Sequence, residues 1–417
     1  MPSLASNLMS NSSITFRGTF SALRHRNYRL WFIGQMVSLI GTWMQGTAQG
    51  YLVYTLTGSA AFLGYVSFVS GVPTWLFTLY GGLIADMMPR RTLLIITQTV
   101  MMLLAFVMAG LVFLGWIQPW MIIVMSFLLG IANAFDAPAR QAFVVELVQR
   151  EDMVNAIALN GTMFNASVVV GPAVAGLTYA AFGPGWCFTI NAISFIAVIV
   201  ALLLMRMVPF KRVVTTISNI NQLKEGLRFT LANKVLVTLI INIGMVNLLS
   251  NGMMTLLPAW AVEVLHGDVT TNGLLVSARG IGALIGGLSI AALSTYRIKG
   301  RLWLYGSFIS PILMIIFALM RWLPASLIML SLVGLGFMLV GNVSNSLVQT
   351  QTSDELRGRV MGIYTLVMFG VMPIGSLISG VVADRIGETT TIIISAVILL
   401  VVTTIIRLTN PEIQKMG

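Results

Sequence analysis

Twelve stretches of this 417-residue chain are long and apolar enough to cross a lipid bilayer as helices. A bilayer-spanning helix needs about 20 mostly apolar residues, and 57% of the residues here are apolar while 9% are charged. The stretches lack the two-residue alternation of barrel strands, so they favour helices. The sequence therefore predicts an all-α, multi-pass membrane protein with twelve transmembrane helices.

The net charge of +11 would suggest nucleic-acid binding in a soluble protein, so the positions of the cations matter. If the N-terminus is inside, all 24 Lys and Arg residues except Arg279, Arg321 and Arg385 fall on the inner side. The positive-inside rule then predicts that both termini are cytoplasmic. We expect no nucleic-acid partner, because the basic charge reflects membrane topology.

A polar stretch over residues 209–234 divides the chain into two sets of six predicted helices. Its apolar residues recur at helical spacing and predict a helix on the membrane surface; they are Ile220, Leu223, Leu227 and Leu231. Phe16, Phe20 and Leu23 predict a similar short helix before the first span. The predicted regions are an N-terminal segment 1–27, a bundle 28–208, the linker 209–234, a second bundle 235–408 and a tail 409–417.

Glycines in the two halves recur at a fixed offset of 204 residues. Together with the central linker, this offset predicts two parallel repeats related by an axis along the membrane normal. The pairs are Gly82 with Gly286, Gly130 with Gly334, Gly171 with Gly375, Gly176 with Gly380, and Gly183 with Gly387.

The loop after the second span reads "GGLIADMMPRRTLL" and resembles the signature of the major facilitator superfamily through Gly82, Asp86, Arg90 and Arg91. A carboxylate can cap a helix N-terminus, and guanidinium groups can bind an opposing carboxylate. The resemblance implies that these residues form a latch between the halves. Ordinary anchoring at the membrane surface is the alternative for the arginines.

The fifth span contains "NASVVVGPAVAG", which resembles the signature of antiporter-type facilitators through Gly171, Pro172 and Gly176. Proline removes a backbone donor and kinks a helix, and glycine lets another helix approach closely. A purely structural kink is the alternative.

Three longer segments, "NYRLWFIGQMVSLIGTWMQGTAQGYLVYTLTGSA", "NAFDAPARQAFVVELV" and "MVNAIALNGTMFNASVVVGPAVAG", resemble the enterobactin-exporter-like branch of that superfamily. The resemblance implies two pseudo-symmetric six-helix bundles in a bacterial inner membrane. It also implies export of siderophores or drugs by alternating access, through a cavity lined by spans one, four, seven and ten.

Each of these four spans carries polar residues on one helical face. Lining of a substrate cavity and packing between helices are both open readings of these residues. The candidate substrate-binding residues are Gln35, Ser38, Thr42, Gln45, Gln49, Asn247, Ser250, Asn251, Arg279, Asn342, Asn345 and Gln349, and span four adds Asn133.

Charged residues within or beside the spans are candidates for gating or coupling. Arg279 lies well inside the eighth span, where it can bind an anionic substrate or pair with Glu263. Asp136 and Arg140 are four residues apart, which allows a local ion pair or a latch with Arg90 or Arg91. Span one has no carboxylate at its middle, so the candidates for proton coupling are Asp86, Asp136 and Glu263.

No cofactor, metal site or catalytic residue is predicted. His25 and His266 fall on opposite membrane sides, and the chain has no phosphate-binding P-loop. We expect a monomeric, proton-coupled exporter of amphiphilic small molecules. The alternatives are a facilitator for lipids or lysolipids and, less favoured, a receptor or scaffold without transport activity.

Overall fold

The computed structural model describes residues 20–207, 220–293 and 299–415. We number the transmembrane helices α1 to α12. The N-terminal bundle contains α1 (Arg26–Thr57), α2 (Ala60–Met87), α3 (Arg90–Phe113), α4 (Pro119–Glu146), α5 (Met153–Phe182) and α6 (Pro184–Leu204). The C-terminal bundle contains α7 (Lys234–Thr255, continued by Leu257–Ala259 and Trp260–Val264), α8 (Val269–Leu293), α9 (Lys299–Leu319), α10 (Leu323–Thr350), α11 (Arg357–Gly370 and Met372–Ile386) and α12 (Glu388–Thr409).

The lengths of these helices match the thickness of a bilayer. In the described part of the chain, ten helices are both long and apolar enough to cross it. The other two, α1 and α8, have 32 and 25 residues, which at 1.5 Å per residue is about 48 and 37 Å. The prediction of an all-α membrane protein with two six-helix bundles is confirmed.

Local sequence signals set the turns between helices. Ser59 begins α2 by accepting a hydrogen bond from the backbone N–H of Phe62, and Asn233 caps α7 in the same way. Gly183 and Gly387 have φ angles of 86° and 83°, and each directly precedes the last helix of its bundle. Glycine suits both positions because a side chain is strained at positive φ.

Helix packing in the two bundles is equivalent. In the N-terminal bundle α1 packs against α5 and α6, α2 against α4, and α3 against α4 and α6. In the C-terminal bundle α7 packs against α11 and α12, α8 against α10, and α9 against α10 and α12. Each helix of the first bundle therefore has a counterpart six positions later.

The repeated glycines occupy equivalent contacts. Gly130 faces the backbone carbonyl of Ser70 on α2, and Gly334 faces that of Arg279 on α8. Gly171 faces α1 and Gly375 faces α7. The pair Gly82 and Gly286 does not correspond, because Gly82 faces open space while Gly286 packs against α10. That one match is a coincidence in a chain with 39 glycines.

Among the described residues, the most extensive contacts between the bundles, α2 with α11 and α5 with α8, lie at one end. We call this the far end, and the basic end is the opposite one, where both ends of the described chain lie. A Cβ on Gly176 would lie 3.0 Å from the Cα of Thr270, and a Cβ on Gly380 would lie 2.9 Å from the Cα of Gly64. Nearer the basic end, Gly82, Gly161 and Gly362 have no atom within 4 Å of such a Cβ. The gap between the bundles therefore opens toward the basic end.

The predicted linker helix is present as Ile220–Ala232. It packs beside α11, and its Glu225 forms an ion pair of 2.6 Å with Arg359. The predicted N-terminal surface helix is only partly described: a single turn spans Ser21–Arg24, and Phe16 lies outside the described residues. Residue 208 of the predicted N-terminal bundle, residues 209–219 of the predicted linker and residues 416–417 of the predicted tail also lie outside them.

Candidate transport cavity

A cavity of about 580 Å³ lies between the two bundles, a volume in the range of small-molecule sites. Seven helices contribute to it, and the region beyond it toward the far end is closed by the α2–α11 and α5–α8 contacts. Its polar and charged lining residues are Thr47, Gln49, Ser67, Ser70, Thr74, Asn133, Asn251, Thr255, Asn272, Arg279 and Ser376.

The N-terminal wall of the cavity is neutral. The Gln49 side chain donates a 2.8 Å hydrogen bond to the hydroxyl of Ser126, and Asn133 donates to the carbonyl of Leu129 at 3.1 Å. Ser70 and Thr74 contribute hydroxyl groups from α2. This wall can therefore offer hydrogen bonds but no formal charge to a bound molecule.

The C-terminal wall carries the charge. Arg279 is the one ionisable side chain among the described residues that line the cavity. Its guanidinium carbon lies 5.0 Å from the ring centroid of Phe337 on α10, a cation–π distance. On the same wall, Ser376 of α11 accepts hydrogen bonds from Asn251 at 3.1 Å and Thr255 at 2.8 Å.

Asn272 is a cavity residue that the sequence reasoning missed. Its side chain is 1% exposed, and neither its amide nitrogen nor its amide oxygen has a hydrogen-bond partner within the described structure. It lies seven residues before Arg279 on α8, so both share one helical face. That spacing from a buried arginine is the signal that could have identified it.

Three of the twelve candidate substrate-binding residues line this cavity: Gln49, Asn251 and Arg279, together with Asn133 from span four. Five others are buried inside their own bundle, against the expectation that they face the cavity; these are Gln35, Ser38, Gln45, Asn247 and Ser250. Their hydrogen bonds show why. Gln45 accepts a 2.6 Å bond from Asn191 of α6, and Asn247 donates to the carbonyl of Ile243.

The remaining four candidates are outside the lining of this cavity. Thr42 is exposed and donates to the carbonyl of Ser38. Asn342 and Asn345 are half-buried, and Gln349 is exposed and bonded to Asn345 at 2.6 Å near the basic end of α10. A role for these residues in substrate binding stays a prediction.

The signature residues at the basic end form an ion-pair network within the N-terminal bundle. Arg90 contacts Asp86 at 3.2 Å and Glu146 at 2.6 Å, and Arg91 donates to the carbonyl of Leu203. The sequence reasoning missed Glu146, which lies at the end of α4. The role of Asp86, Arg90 and Arg91 as a latch between the bundles stays a prediction.

Asp136 lies inside the N-terminal bundle and is 1% exposed. It accepts hydrogen bonds of 2.9 Å from both Thr97 and Gln98 of α3, and Arg140 lies 3.7 Å away. Of the two arrangements left open, the structure has the local ion pair. Arg90 is paired with Asp86 and Glu146 instead.

Glu263 and Arg279 do not form an ion pair. Glu263 lies at the far end of α7 and accepts a 2.8 Å hydrogen bond from the hydroxyl of Tyr54 on α1. A second hydroxyl-to-carboxylate bond joins the bundles there, from Ser59 to Asp384 at 2.8 Å. The expected structural partner of Arg279 is therefore engaged elsewhere, with the other bundle.

The residues of the "GPAVAG" segment lie where α5 meets two other helices. Gly171 packs against α1, and the carbonyl of Pro172 and the Cα of Gly176 face Gly273 on α8. These small residues allow the backbones of α5 and α8 to touch at the far end. Their part in coupling is not tested by these contacts.

Two six-helix bundles that enclose a central cavity define a membrane transporter, and comparisons with known proteins agree. The chain belongs to the transmembrane secretion effector family of the major facilitator superfamily, whose family model matches residues 17–416. Family and relatives indicate a transporter and not an enzyme. The resemblance identified from the sequence is thus confirmed.

Curated relatives of similar length are transport proteins. The chain is 26% identical to the multidrug efflux pump Tap of Mycolicibacterium fortuitum, over 82% of this chain and 85% of Tap. It is 24% identical to the staphyloferrin A transporter of Staphylococcus aureus, over 93% and 97%. Among solved structures, a bacterial homologue of the human lysosomal transporter Spinster, inward-facing and unoccupied, matches with a TM-score of 0.70 at 12% identity, over 97% and 99%. That structural match supports the fold alone.

Proposed function

We propose that this protein is a proton-coupled exporter of amphiphilic small molecules that works by alternating access. The observation that carries the proposal is the cavity between the bundles, closed at the far end and open toward the basic end. The positive-inside rule would make the basic end cytoplasmic, so a molecule would enter from the cytoplasm. Relatives named as multidrug and siderophore transporters support the class of cargo. The proposed location is a bacterial inner membrane, with the protein as a monomer.

Alternating access requires the far-end contacts to break and the basic end to close. Glycines take part in several of the helix contacts between the bundles, at Gly64, Gly176, Gly273 and Gly380, so little interdigitated bulk has to separate at those positions. At the basic end, the network of Asp86, Arg90 and Glu146 is placed to meet the C-terminal bundle when the gap closes. This role for the network belongs to the proposal.

Glu263 is the carboxylate we propose for proton coupling. It hydrogen-bonds to Tyr54 of the opposite bundle, so its protonation would weaken a contact that exists only while the far end is closed. Hydrogen bonds to an ionised acceptor are about twice as strong as neutral ones. Asp136, by contrast, is bonded within one bundle and has no such link to the conformational change.

Flux into proteoliposomes tests the function. Inverted-orientation vesicles are loaded at acidic internal pH. Uptake of a fluorescent amphiphile, an iron-free siderophore and a lysophospholipid is followed with and without the pH gradient. We expect gradient-dependent uptake of a small molecule, lost in Glu263→Gln while exchange without a gradient remains. Gradient-independent movement of lysophospholipid alone would favour the lipid facilitator instead. No flux of any of them would contradict the transporter proposal.

A further inference from the structure

We infer that Arg279 and Asn272 form a subsite that holds the acidic group of an amphiphilic organic anion. This inference rests on the proposed function only in that the cavity is the transport site, and it deepens it by assigning the charge of the cargo. The cavity wall opposite these residues is neutral, so the charge of α8 alone sets the electrostatic preference of the site.

Among the described residues, the guanidinium of Arg279 has no anionic partner. Within the described chain no ion pair or hydrogen bond reaches it, and Glu263 is bonded to Tyr54. Phe337 covers one of its flat faces, which leaves its N–H edges available toward the cavity. A cation within the membrane is costly unless paired or hydrated, and a planar guanidinium matches the two oxygens of a carboxylate, sulfonate or phosphate.

The side-chain amide of Asn272 is a second, independent observation that points to a binding site. A buried amide with neither atom bonded is unfavourable, yet this amide lies on the cavity lining and on the same face as Arg279. Seven residues along a helix correspond to about 10 Å. The subsite therefore fits a molecule whose acidic group is followed, at about that distance, by a hydroxyl or amide.

The position of Arg279 is fixed by its neighbours. A Cβ at Gly334 would clash with the backbone carbonyl oxygen of Arg279 and lie 3.1 Å from its Cγ, so glycine at residue 334 lets the backbone of α8 and the arginine stem pack closely on α10. The hydroxyl of Ser331 donates to the carbonyl of Ala278 at 2.8 Å, and that of Ser277 donates to Val169 of α5 at 2.7 Å. Such a rigid setting reduces the ordering cost of binding.

Apolar side chains complete the site and suit the body of an amphiphile. Trp43, Val168, Met254 and Val276 line the same cavity. An anion with a hydrophobic body would satisfy both the guanidinium and this surface. An amphiphilic cation would meet the same surface but would be repelled by Arg279.

Equilibrium binding to the full chain in nanodiscs tests the subsite with two probes that differ in charge. Pyrenebutyrate is the anion, and pyrenebutyl-trimethylammonium is the cation with the same body. We expect the wild type to bind the anion at least about tenfold more tightly, since one close charge pair contributes on the order of a tenfold change. Arg279→Gln should abolish this preference, and Arg279→Lys should keep part of it, because lysine keeps the charge but loses the planar fork.

Arg407→Gln is the matched control. Arg407 also lies over an aromatic ring, 6.0 Å from the centroid of Phe308, but it is outside the cavity lining. This variant removes the same charge and should leave the preference unchanged. Equal loss in both variants would show a general charge effect and would overturn the proposal.

The contribution of Asn272 is tested by competition against pyrenebutyrate. In the wild type, 9-hydroxynonanoate should compete better than nonanoate, and Asn272→Leu should remove that advantage. An unchanged advantage would remove Asn272 from the subsite.

The ratio of the wild-type affinities for pyrenebutyrate and pyrenebutyl-trimethylammonium decides the main proposal even if Arg279→Gln fails to fold. No saturable anion binding, or cation binding that is equally tight, would overturn it. Because binding needs no gradient, its failure is distinguishable from a failure of flux.

Discussion

The two bundles are alike in backbone and unlike in the chemistry of their cavity walls. Gly130 and Gly334 make equivalent contacts, and these contacts align Ser70 of α2 with Arg279 of α8. A neutral hydroxyl on one wall thus corresponds to a cation on the other. The comparison shows that repeated glycines preserve equivalent helix contacts in the two bundles, while single side-chain differences give the two cavity walls different charges.

A second difference lies behind the cavity, on α4 and α10, the helices that carry Gly130 and Gly334. Asp136 follows Gly130 by six residues and is buried against α3; Val340 follows Gly334 by six residues and is buried against Gly306 of α9. One bundle therefore uses a hydrogen-bonded carboxylate where the other uses apolar packing. Each of the following predictions tests whether the halves differ where their side chains differ and agree where their glycines agree.

The largest effects should come from the glycines between the bundles. Gly176→Val and Gly380→Val would insert side chains where the backbones of the two bundles touch at the far end, so closure there should fail. We expect each to reduce flux by about tenfold or more, because an equilibrium shifted by a few kcal/mol leaves one state nearly unpopulated. Flux in proteoliposomes measures this.

Gly171→Val and Gly375→Val are the matched controls, because these glycines pack within a bundle. They should instead reduce the yield of folded protein. If Gly176→Val and Gly380→Val differ strongly from each other, the two far-end contacts are not equivalent.

Replacement of the buried carboxylate of Asp136 should have the next largest effect, on the stability of the fold. Asp136→Leu removes the acceptor for Thr97 and Gln98, so we expect a loss of about 2–4 kcal/mol of folding free energy. Asp136→Asn keeps an acceptor oxygen and should cost about 1 kcal/mol. Thermal unfolding in detergent measures the relative stabilities of wild type, Asp136→Asn and Asp136→Leu. An Asp136→Leu variant as stable as wild type would show that the two bundles do not need different chemistry here.

Moving the positive charge from the C-terminal to the N-terminal wall of the cavity should have a smaller effect. This effect should be a gain, and not a loss, of the preference for the anion. Ser70→Arg in the Arg279→Gln background places a cation at the equivalent position of the neutral wall. We expect about a threefold recovery of the preference for pyrenebutyrate, since Ser70 lacks a neighbour equivalent to Phe337 to orient a guanidinium. Ser70→Gln in that background is the control. Recovery equal to the full wild-type preference would mean that the wall does not matter.

The smallest effects should come from the two hydroxyl bonds at the far end. Tyr54→Phe removes the bond to Glu263, and Ser59→Ala removes the bond to Asp384. Both carboxylates are exposed, so we expect about 0.5–1 kcal/mol each, a two- to fivefold change in the closed-state population. Distance measurements between spin labels on the two bundles report it. A tenfold or larger effect of Tyr54→Phe alone would make Glu263 the dominant far-end contact.

Local features of the fold could be predicted from the sequence because they depend on short segments. The helices follow from apolar runs of bilayer length, and Gly183 and Gly387 mark equivalent turns. The linker helix follows from apolar residues at helical spacing. The position of Arg279 well inside its span also identified it as a charged residue that requires a partner or a bound anion.

The sequence could not predict which neighbouring helix the polar residues of each span contact. On α1, residues at steps of three and four include both Gln45, which bonds to α6, and Gln49, which lines the cavity. A helical period places such residues near one another but does not say which neighbouring helix they face. For the same reason, the sequence left Arg279 with two possible partners, and Glu146 was not connected with Arg90.

By itself, the sequence determined that this chain is a twelve-helix membrane protein built from two repeats, because the hydrophobic length of each span and the fixed offset between equivalent glycines can both be read from the order of residues. The tertiary structure decided which polar groups meet: Glu263 binds Tyr54, Asp136 binds α3, and Arg279 and Asn272 face the cavity without partners in the described chain. Those pairings depend on helix rotation and on contacts between residues far apart in the chain. Such contacts are set by the packing of whole helices and leave no local pattern in the sequence.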